Sequence, residues 1–284
     1  MRNLRTLGGL SLPELVRRTI RESWQDEVFG QGGRMSFYHF LAIFPSIVVF
    51  LAFSARIPHV GDQTKNALQD LSRQLLPSEV SRLMHSVLDV LSGRYLAGMR
   101  LAIVCVGALW AALNGTWAMI WGLNRAYEVE EHRSWWDLAV TICGLTGCFA
   151  FISSFTVFVF FSGSRFQNEF RLGVRILEWI VLAIALSLAF AVLYRFGPSV
   201  RDASWRCSTP GVVCALILWI SSTFGARFYF DHVSDYSRSY GPLNGVAMLL
   251  LWLYVTNGAI LIGGEMNSEI QKAIRQSIRD CAAR

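Results

Sequence analysis

The sequence predicts an all-α polytopic membrane protein: six transmembrane helices, an N-terminal amphipathic helix, and an extracytoplasmic helical hairpin between spans one and two. Two observations carry this. Only 16% of the 284 residues are charged and the mean hydropathy is +0.39, whereas a soluble domain carries about 25% charged residues. In addition, Asp, Glu, Lys and Arg are absent from residues 35–55, 101–124, 138–164, 179–194, 207–226 and 239–264. A helix rising about 1.5 Å per residue needs roughly 20 apolar residues to cross a hydrocarbon core about 30 Å thick. The run 179–194 reaches that length once Ile176 and Leu177 are added, which admits Glu178 at an expected interface. A water-soluble helix would break such runs with a polar face.

Taken in order, the elements form a single membrane domain over residues 1–284. An interfacial helix is expected at 11–30. Ser11-Leu12-Pro13-Glu14 has capping-box spacing, with Pro13 near the start where its missing N–H costs nothing. Leu12, Leu15, Val16, Ile20, Trp24 and Val28 recur at helical spacing, with Arg17, Arg18 and Arg21 off that stripe. Such a helix can rest on anionic lipid or pack on the ends of the spans. Gly30, Gly32 and Gly33 are expected to end it. Span one (35–55) is expected to be retained as an uncleaved first span. A hairpin at 56–100 follows: Ala67, Leu68, Leu71, Leu75 and Leu76 form one stripe, Val80, Leu83, Met84, Val87, Leu88 and Leu91 another, and Pro77-Ser78 separates them. It reads as a cap on the outer face or a lid over a cavity. The other spans fall at about 101–124, 138–164, 176–196, 207–229 and 241–264. The tail 265–284 continues as a polar helix with Met266, Ile270, Ala273, Ile274 and Ile278 on one side.

Loop charges orient the chain. With the N-terminus inside, 15 Lys and Arg fall on the cytoplasmic side and 11 outside, six of those in the long segment 56–100. Both termini are therefore expected in the cytoplasm. None of the six cysteines falls in an outer loop, so no disulfide framework is implied. Trp121, Trp135, Trp136 and Trp179 lie near span ends, where aromatic rings anchor at the interface.

Several segments resemble the YihY/BrkB family of membrane proteins, once labelled ribonuclease BN. Tyr194-Arg195-Phe196-Gly197-Pro198, then Trp205-Arg206 and Pro210-Gly211, look like its loop into span five. Tyr240-Gly241-Pro242-Leu243 before Leu249-Leu250-Leu251-Trp252-Leu253-Tyr254 is similar to its entry into span six. Gly263-Gly264-Glu265-Met266-Asn267-Ser268-Glu269 resembles its exit, with Gly264 where Ala is usual; Pro45, Asn114 and Trp121 fit as well. The resemblance covers about residues 21–269. It implies six spans in a bacterial inner membrane, with transport of lipids or envelope components as the usual suggestion.

Hydrolytic chemistry finds no support in the residues. A metal-dependent ribonuclease needs His and carboxylate ligands that converge, yet His39, His59, His85, His132 and His232 are scattered. No Gly-rich loop ending in Lys-Ser or Lys-Thr is present for nucleotide-driven transport. No cofactor, metal or nucleic-acid partner is expected; membrane lipids, anionic ones included, are. Asp231-His232-Val233-Ser234-Asp235-Tyr236 is read as a solvated polar loop rather than a metal site.

Polar groups inside the spans are the candidate substrate path, because each must face protein or water. They are His39, Asn114 and Asn257, joined by Pro45, which should kink span one and free a carbonyl. Each could instead only hydrogen-bond a neighbouring helix. Arg195, Arg201, Arg206 and Arg227 flank spans four and five and are candidates for an anionic headgroup, since guanidinium binds phosphate bidentately. Glu265 closes span six and is expected to be hydrated, either paired with Arg201 or Arg206 or acting as a proton- or cation-coupled gate. Two functions remain open: a transporter or lipid translocator without its own ATPase, and a non-transporting scaffold.

Overall fold

The computed structural model describes residues 9–54, 65–66, 68–70, 72–73, 78–92, 99–164, 171–200, 205–232 and 242–282, leaving aside side chains at some positions within these ranges, Arg206 and Leu243 among them. The described residues fold into α1 (Leu12–Gln25), α2 (Val28–Ser54), α3 (Ser78–Ser92), α4 (Met99–Ala126), α5 (Trp135–Ser164), α6 (Arg171–Phe196), α7 (Trp205–His232) and α8 (Pro242–Ala282). Six of them, α2 and α4 to α8, are long and apolar enough to cross a membrane.

The spans are arranged as a ring. Going round it, α4 touches α2, α2 touches α8, α8 touches α7, α7 touches α6, α6 touches α5, and α5 closes back on α4. An even number of spans puts both ends of the chain on one side, called here the proximal end, where α1 packs on the last turns of α8. In the proximal half the ring is shut: Met35, Ala118, Leu123, Leu193, Tyr194, Val212, Ala215, Ile260 and Leu261 form one buried core drawn from five spans.

The distal half is filled differently. Helix α3 does not lie over the helix ends, as a surface cap would. Its Val80 is buried in one cluster with Leu249 and Leu253, bordered by Phe40, Ile43 and Phe44. At about 1.5 Å per residue, Leu253 lies roughly 12 Å beyond Gly245 along α8. One turn and two turns later, Met84 and Leu88 pack with Ile43 and Ile47. Leu251 and Val255 are exposed on α8, and Leu249 and Leu253 lie about 160° around the helix from Leu251. Helix α3 is therefore seated inside the ring, against α2, α7 and α8. Of the predicted hairpin's first arm, only residues 65–66, 68–70 and 72–73 are described; Ser72 Oγ lies 3.2 Å from Ser81 Oγ.

Two local expectations change. The glycines at 30–33 do not end the first helix. The break falls at Asp26 and Glu27, where Glu27 takes φ 52°, and α2 runs straight through the glycines. At Gly32 the helix packs on α8 instead: a Cβ there would make ordinary van der Waals contact, at 3.5 Å, with the Gly258 nitrogen and the Tyr254 carbonyl oxygen. Ser11 is the N-cap of α1 but makes no side-chain cap bond; Glu14 accepts from Arg18 Nε at 2.8 Å instead. Most of the predicted apolar stripe on α1, Leu12, Val16, Ile20 and Trp24, stays exposed, while Leu15, Thr19 and Ser23 are buried.

Candidate functional site

Just proximal to the α3 tip, a polar layer crosses the span interior. Ser36 Oγ donates to the Gly32 carbonyl at 2.6 Å, an i to i−4 bond within α2. Asn257 of α8 donates from Nδ2 to Ser36 Oγ at 3.1 Å and also hydrogen-bonds His39. Asn257 is 1% exposed. The His39 ring lies against α4 at Gly115, where a Cβ would come within 3.0 Å of its Cδ2. Glycine is what lets an imidazole fit between these helices. Ser46, seven residues on from His39 and on the same helical face, is exposed. Asn257→Ala should therefore leave both Ser36 and His39 short of a partner. The expected cost is about 1–3 kcal/mol, read as a lower thermal midpoint in detergent; an unchanged midpoint would show that the layer is not sealed.

The other predicted residues divide. Asn114 donates to the Trp110 carbonyl of its own helix at 2.7 Å, and it shares a helical face with the exposed Trp110, Trp117 and Trp121. It does not join the layer. Pro45 sits within α2, between the two isoleucines that meet α3, and leaves the Leu41 carbonyl without its helical donor. Arg195 is at the proximal end of α6, its Nε buried with no hydrogen-bond partner among the described residues. Arg227 is exposed near the distal end of α7, about 33 Å along the helix from Trp205. These two arginines cannot share one headgroup. Arg201, Tyr240 and Gly241 lie outside the described residues, as do the side chains of Arg206 and Leu243. The 231–236 loop is described only at Asp231 and His232. Among the described residues no three His, Cys, Asp or Glu side chains are placed to hold a metal.

At the proximal end two further constructions appear. One is the crossing of α7 and α8. Asn267 Oδ1 accepts from the Gly211 N–H at 2.8 Å, and Tyr194 donates to the Ile260 carbonyl at 2.6 Å. A Cβ on Gly211 would run into the Gly263 carbonyl oxygen and the Asn267 carboxamide; one on Gly263 would meet the Tyr194 hydroxyl and, at 2.6 Å, the Gly211 carbonyl oxygen. The family-like residues 194, 211, 263 and 267 thus meet in one contact.

The second is a latch that the sequence reading missed. Helix α4 ends in a Schellman turn, with Glu128 at φ 50° and bonds from Val129 N to the Asn124 carbonyl and from Glu128 N to the Arg125 carbonyl. This turn brings Glu131 back to Asn124, whose Nδ2 donates to it at 2.9 Å. Arg133 grips the same carboxylate with Nε at 2.7 Å and Nη2 at 2.6 Å, and reaches the carbonyls of Phe196 and Gly197 at the end of α6. Asn124 Oδ1 takes the Ser199 N–H at 2.8 Å. Burial alone would raise the Glu131 carboxyl, but the bonds from Arg133 and Asn124 outweigh it and hold the group at about 2.

Glu265 differs from expectation. It is 0% exposed rather than hydrated, and neither carboxylate oxygen has a hydrogen-bond partner among the described residues.

Comparison with known proteins finds membrane-protein relatives. The chain matches the family model described as Virulence factor BrkB over residues 19–283. It is 28% identical to the ribonuclease-like protein YfkH of Bacillus subtilis, covering 92% of this chain and 95% of that one. A UPF0761 membrane protein of Psychromonas ingrahamii is 23% identical over 90% of this chain and 87% of its own length. Another, from Rhodospirillum centenum, is 21% identical over 94% of this chain, which spans 60% of that longer protein. No solved structure matches.

Proposed function

The chain belongs to the virulence factor BrkB family of membrane proteins, and we propose that it is a transporter or translocator of lipids or other amphipathic envelope substrates. In this reading it sits in a bacterial inner membrane with both termini in the cytoplasm, acts without an ATPase of its own, and performs no covalent chemistry. The observation that carries the reading is the helix seated inside the ring. Helix α3 fills the distal half above the layer of His39, Asn257 and Ser36, while the proximal half is packed shut. A ring whose interior is occupied by a separate helix on one side and packed shut on the other supports a path that opens to one face of the membrane at a time. The exposed apolar stripe of α1, flanked by Arg17 and Arg21, supports contact with anionic lipid at the cytoplasmic surface.

A second reading, a non-transporting scaffold, is favoured by the complete burial of Asn257 and by the way Asn114 bonds its own helix. One experiment separates them. The purified chain is reconstituted into vesicles carrying fluorescent phospholipid analogues, and leaflet distribution is read by quenching. Transport predicts protein-dependent redistribution, which is slowed at least tenfold when Ile43→Cys and Met84→Cys are cross-linked in a background free of native cysteine. Leaflet distribution identical to protein-free vesicles would leave the scaffold.

A further inference from the structure

The outward face of α4 is polar where lipid is least able to accept it. Ala118, Leu123 and Ala126 turn into the core, and Trp117, nine residues before Ala126, stands on the opposite side of the helix. Trp110, Trp117 and Trp121 are between 43% and 57% exposed on that outer side, with Asn114 half-buried among them. The apolar span runs Ala102–Ala126, so Asn114 is its midpoint, about 18 Å along the axis from either end. One amide N–H is bonded to the Trp110 carbonyl, and Oδ1 accepts nothing among the described residues. A carboxamide carries two donors and an acceptor oxygen, and hydrocarbon supplies no partner for the groups left over.

The tryptophans point the same way. Trp121 sits under the Arg34 guanidinium, 4.5 Å from the ring centroid, as befits a ring near the headgroups. Trp110 and Trp117 lack that setting. They flank Asn114 at about 6 Å and 5 Å along the axis, well inside a hydrocarbon half-thickness of about 15 Å. Residues 110, 114, 117 and 121 are spaced 4, 3 and 4 apart, the spacing of a left-handed helix–helix seam. Within the chain α4 meets its neighbours elsewhere. Gly115 lies against His39 of α2, Gly122 against Met35 and Leu261, and Thr116 Oγ1 is 2.8 Å from Thr146 Oγ1 of α5.

We propose that this face pairs with the same face of a second copy, α4 against α4 about a two-fold axis along the membrane normal, the helices crossing at Asn114. A second copy is the occupant because the unmet groups are self-complementary. The free N–H of each Asn114 donates to Oδ1 of the other, so one residue supplies both halves of a reciprocal pair. Trp110 and Trp117 pack on either side of it and exclude lipid. A slip by one heptad would set each amide opposite Gly107 or Trp121, neither of which has a side chain that both gives and accepts a bond. The asparagine therefore fixes the register. This assignment stands whether or not the protein moves lipid.

The test uses the full chain reconstituted in vesicles. Copies carrying donor or acceptor dyes at the carboxyl terminus are mixed, and energy transfer is followed as lipid is added. Pairing predicts transfer that persists on dilution. Half-dissociation of Asn114→Leu should come at a protein-to-lipid ratio at least about tenfold higher than for the wild type, and Asn114→Gln should restore most of the difference. Asn114→Leu should keep wild-type helicity, because the bond it loses within the chain is to its own helix. In a background free of native cysteine, Trp117→Cys should form a disulfide-linked dimer on oxidation, while Phe155→Cys, exposed on α5, should not. Transfer no greater than random mixing, Asn114→Leu matching the wild type, or equal cross-linking at the two cysteines would overturn the proposal.

Discussion

Replacing Gly211 with valine is expected to abolish folded protein, with loss of the monodisperse peak in detergent and of any measurable thermal transition. The reason is the closeness of two backbones. A Cβ at Gly211 would overlap the Gly263 carbonyl oxygen and the Asn267 carboxamide, and the first of these is backbone that cannot rotate away. Relief would require α7 and α8 to part, opening the contact that buries Tyr194 and Ala215 and breaking the Gly211 N–H to Asn267 bond. Overpacking ordinarily costs about 1–3 kcal/mol; a backbone-to-backbone clash exceeds that, against a total stability of about 5–15 kcal/mol. Gly107, on an exposed stretch of α4 with nothing within 4 Å of its Cβ position, is the control, and Gly107→Val should leave the midpoint nearly unchanged. A well-behaved Gly211→Val protein would mean that the α7–α8 crossing is wrong.

The Arg133 latch gives the second large effect. Arg133→Ala removes two bonds to Glu131 and two to the carbonyls at the end of α6, and leaves the carboxylate with Asn124 Nδ2 and the backbone N–H of residue 133. The expected loss is about 2–3 kcal/mol. Lysine should rescue little of it, because an ammonium cannot serve the carboxylate edge and the carbonyls together. The same pair sets an acid limit. Glu131 is held at about 2 against an ordinary 4.5. Its contribution is therefore present above pH 4.5 and is lost as pH falls toward 2. With the side chains of the pair about a fifth exposed, solvent screening reduces that contribution to about 2 kcal/mol. Glu131→Gln should flatten the thermal midpoint between pH 5 and 3; a wild-type midpoint already flat over that range would remove the latch from the account.

Much of the architecture was legible because lipid imposes a blunt rule. Six runs without a formal charge mark six helices, and each lies within the corresponding observed helix apart from a few residues at the ends of the first and last. What composition could not convey was which faces meet. Gly30, Gly32 and Gly33 look like helix breakers by propensity, yet at Gly32 tertiary contact with α8 overrides propensity, and α2 runs through all three. His39, Asn114 and Asn257 are equivalent as intramembrane polar residues. Only packing around Gly115 brings the first and third together and turns Asn114 outward. Asn124, Glu131 and Arg133 are unremarkable loop residues in sequence; their role arises from the approach of residues 196–199, more than sixty positions away. Glu265 was placed correctly along its helix, but spacing does not reveal that α1 folds back over it. Helix α3 carried an amphipathic stripe that fits a surface cap as well as a core element; nothing in its residues specified depth.

The last span and the tail beyond it are a single helix of 41 residues. Such a rod, pinned where Gly263 meets Gly211, obeys the geometry of a lever with unequal arms. Ala282 stands about 28 Å from that fulcrum on one side and Asn257 about 9 Å on the other. A 10° pivot would shift the asparagine by only about 1.5 Å and swing the far tip by about 5 Å the opposite way. Rearrangements at the core, too small to resolve directly, are magnified threefold at the carboxyl terminus, where a spin label can report them without touching the interior.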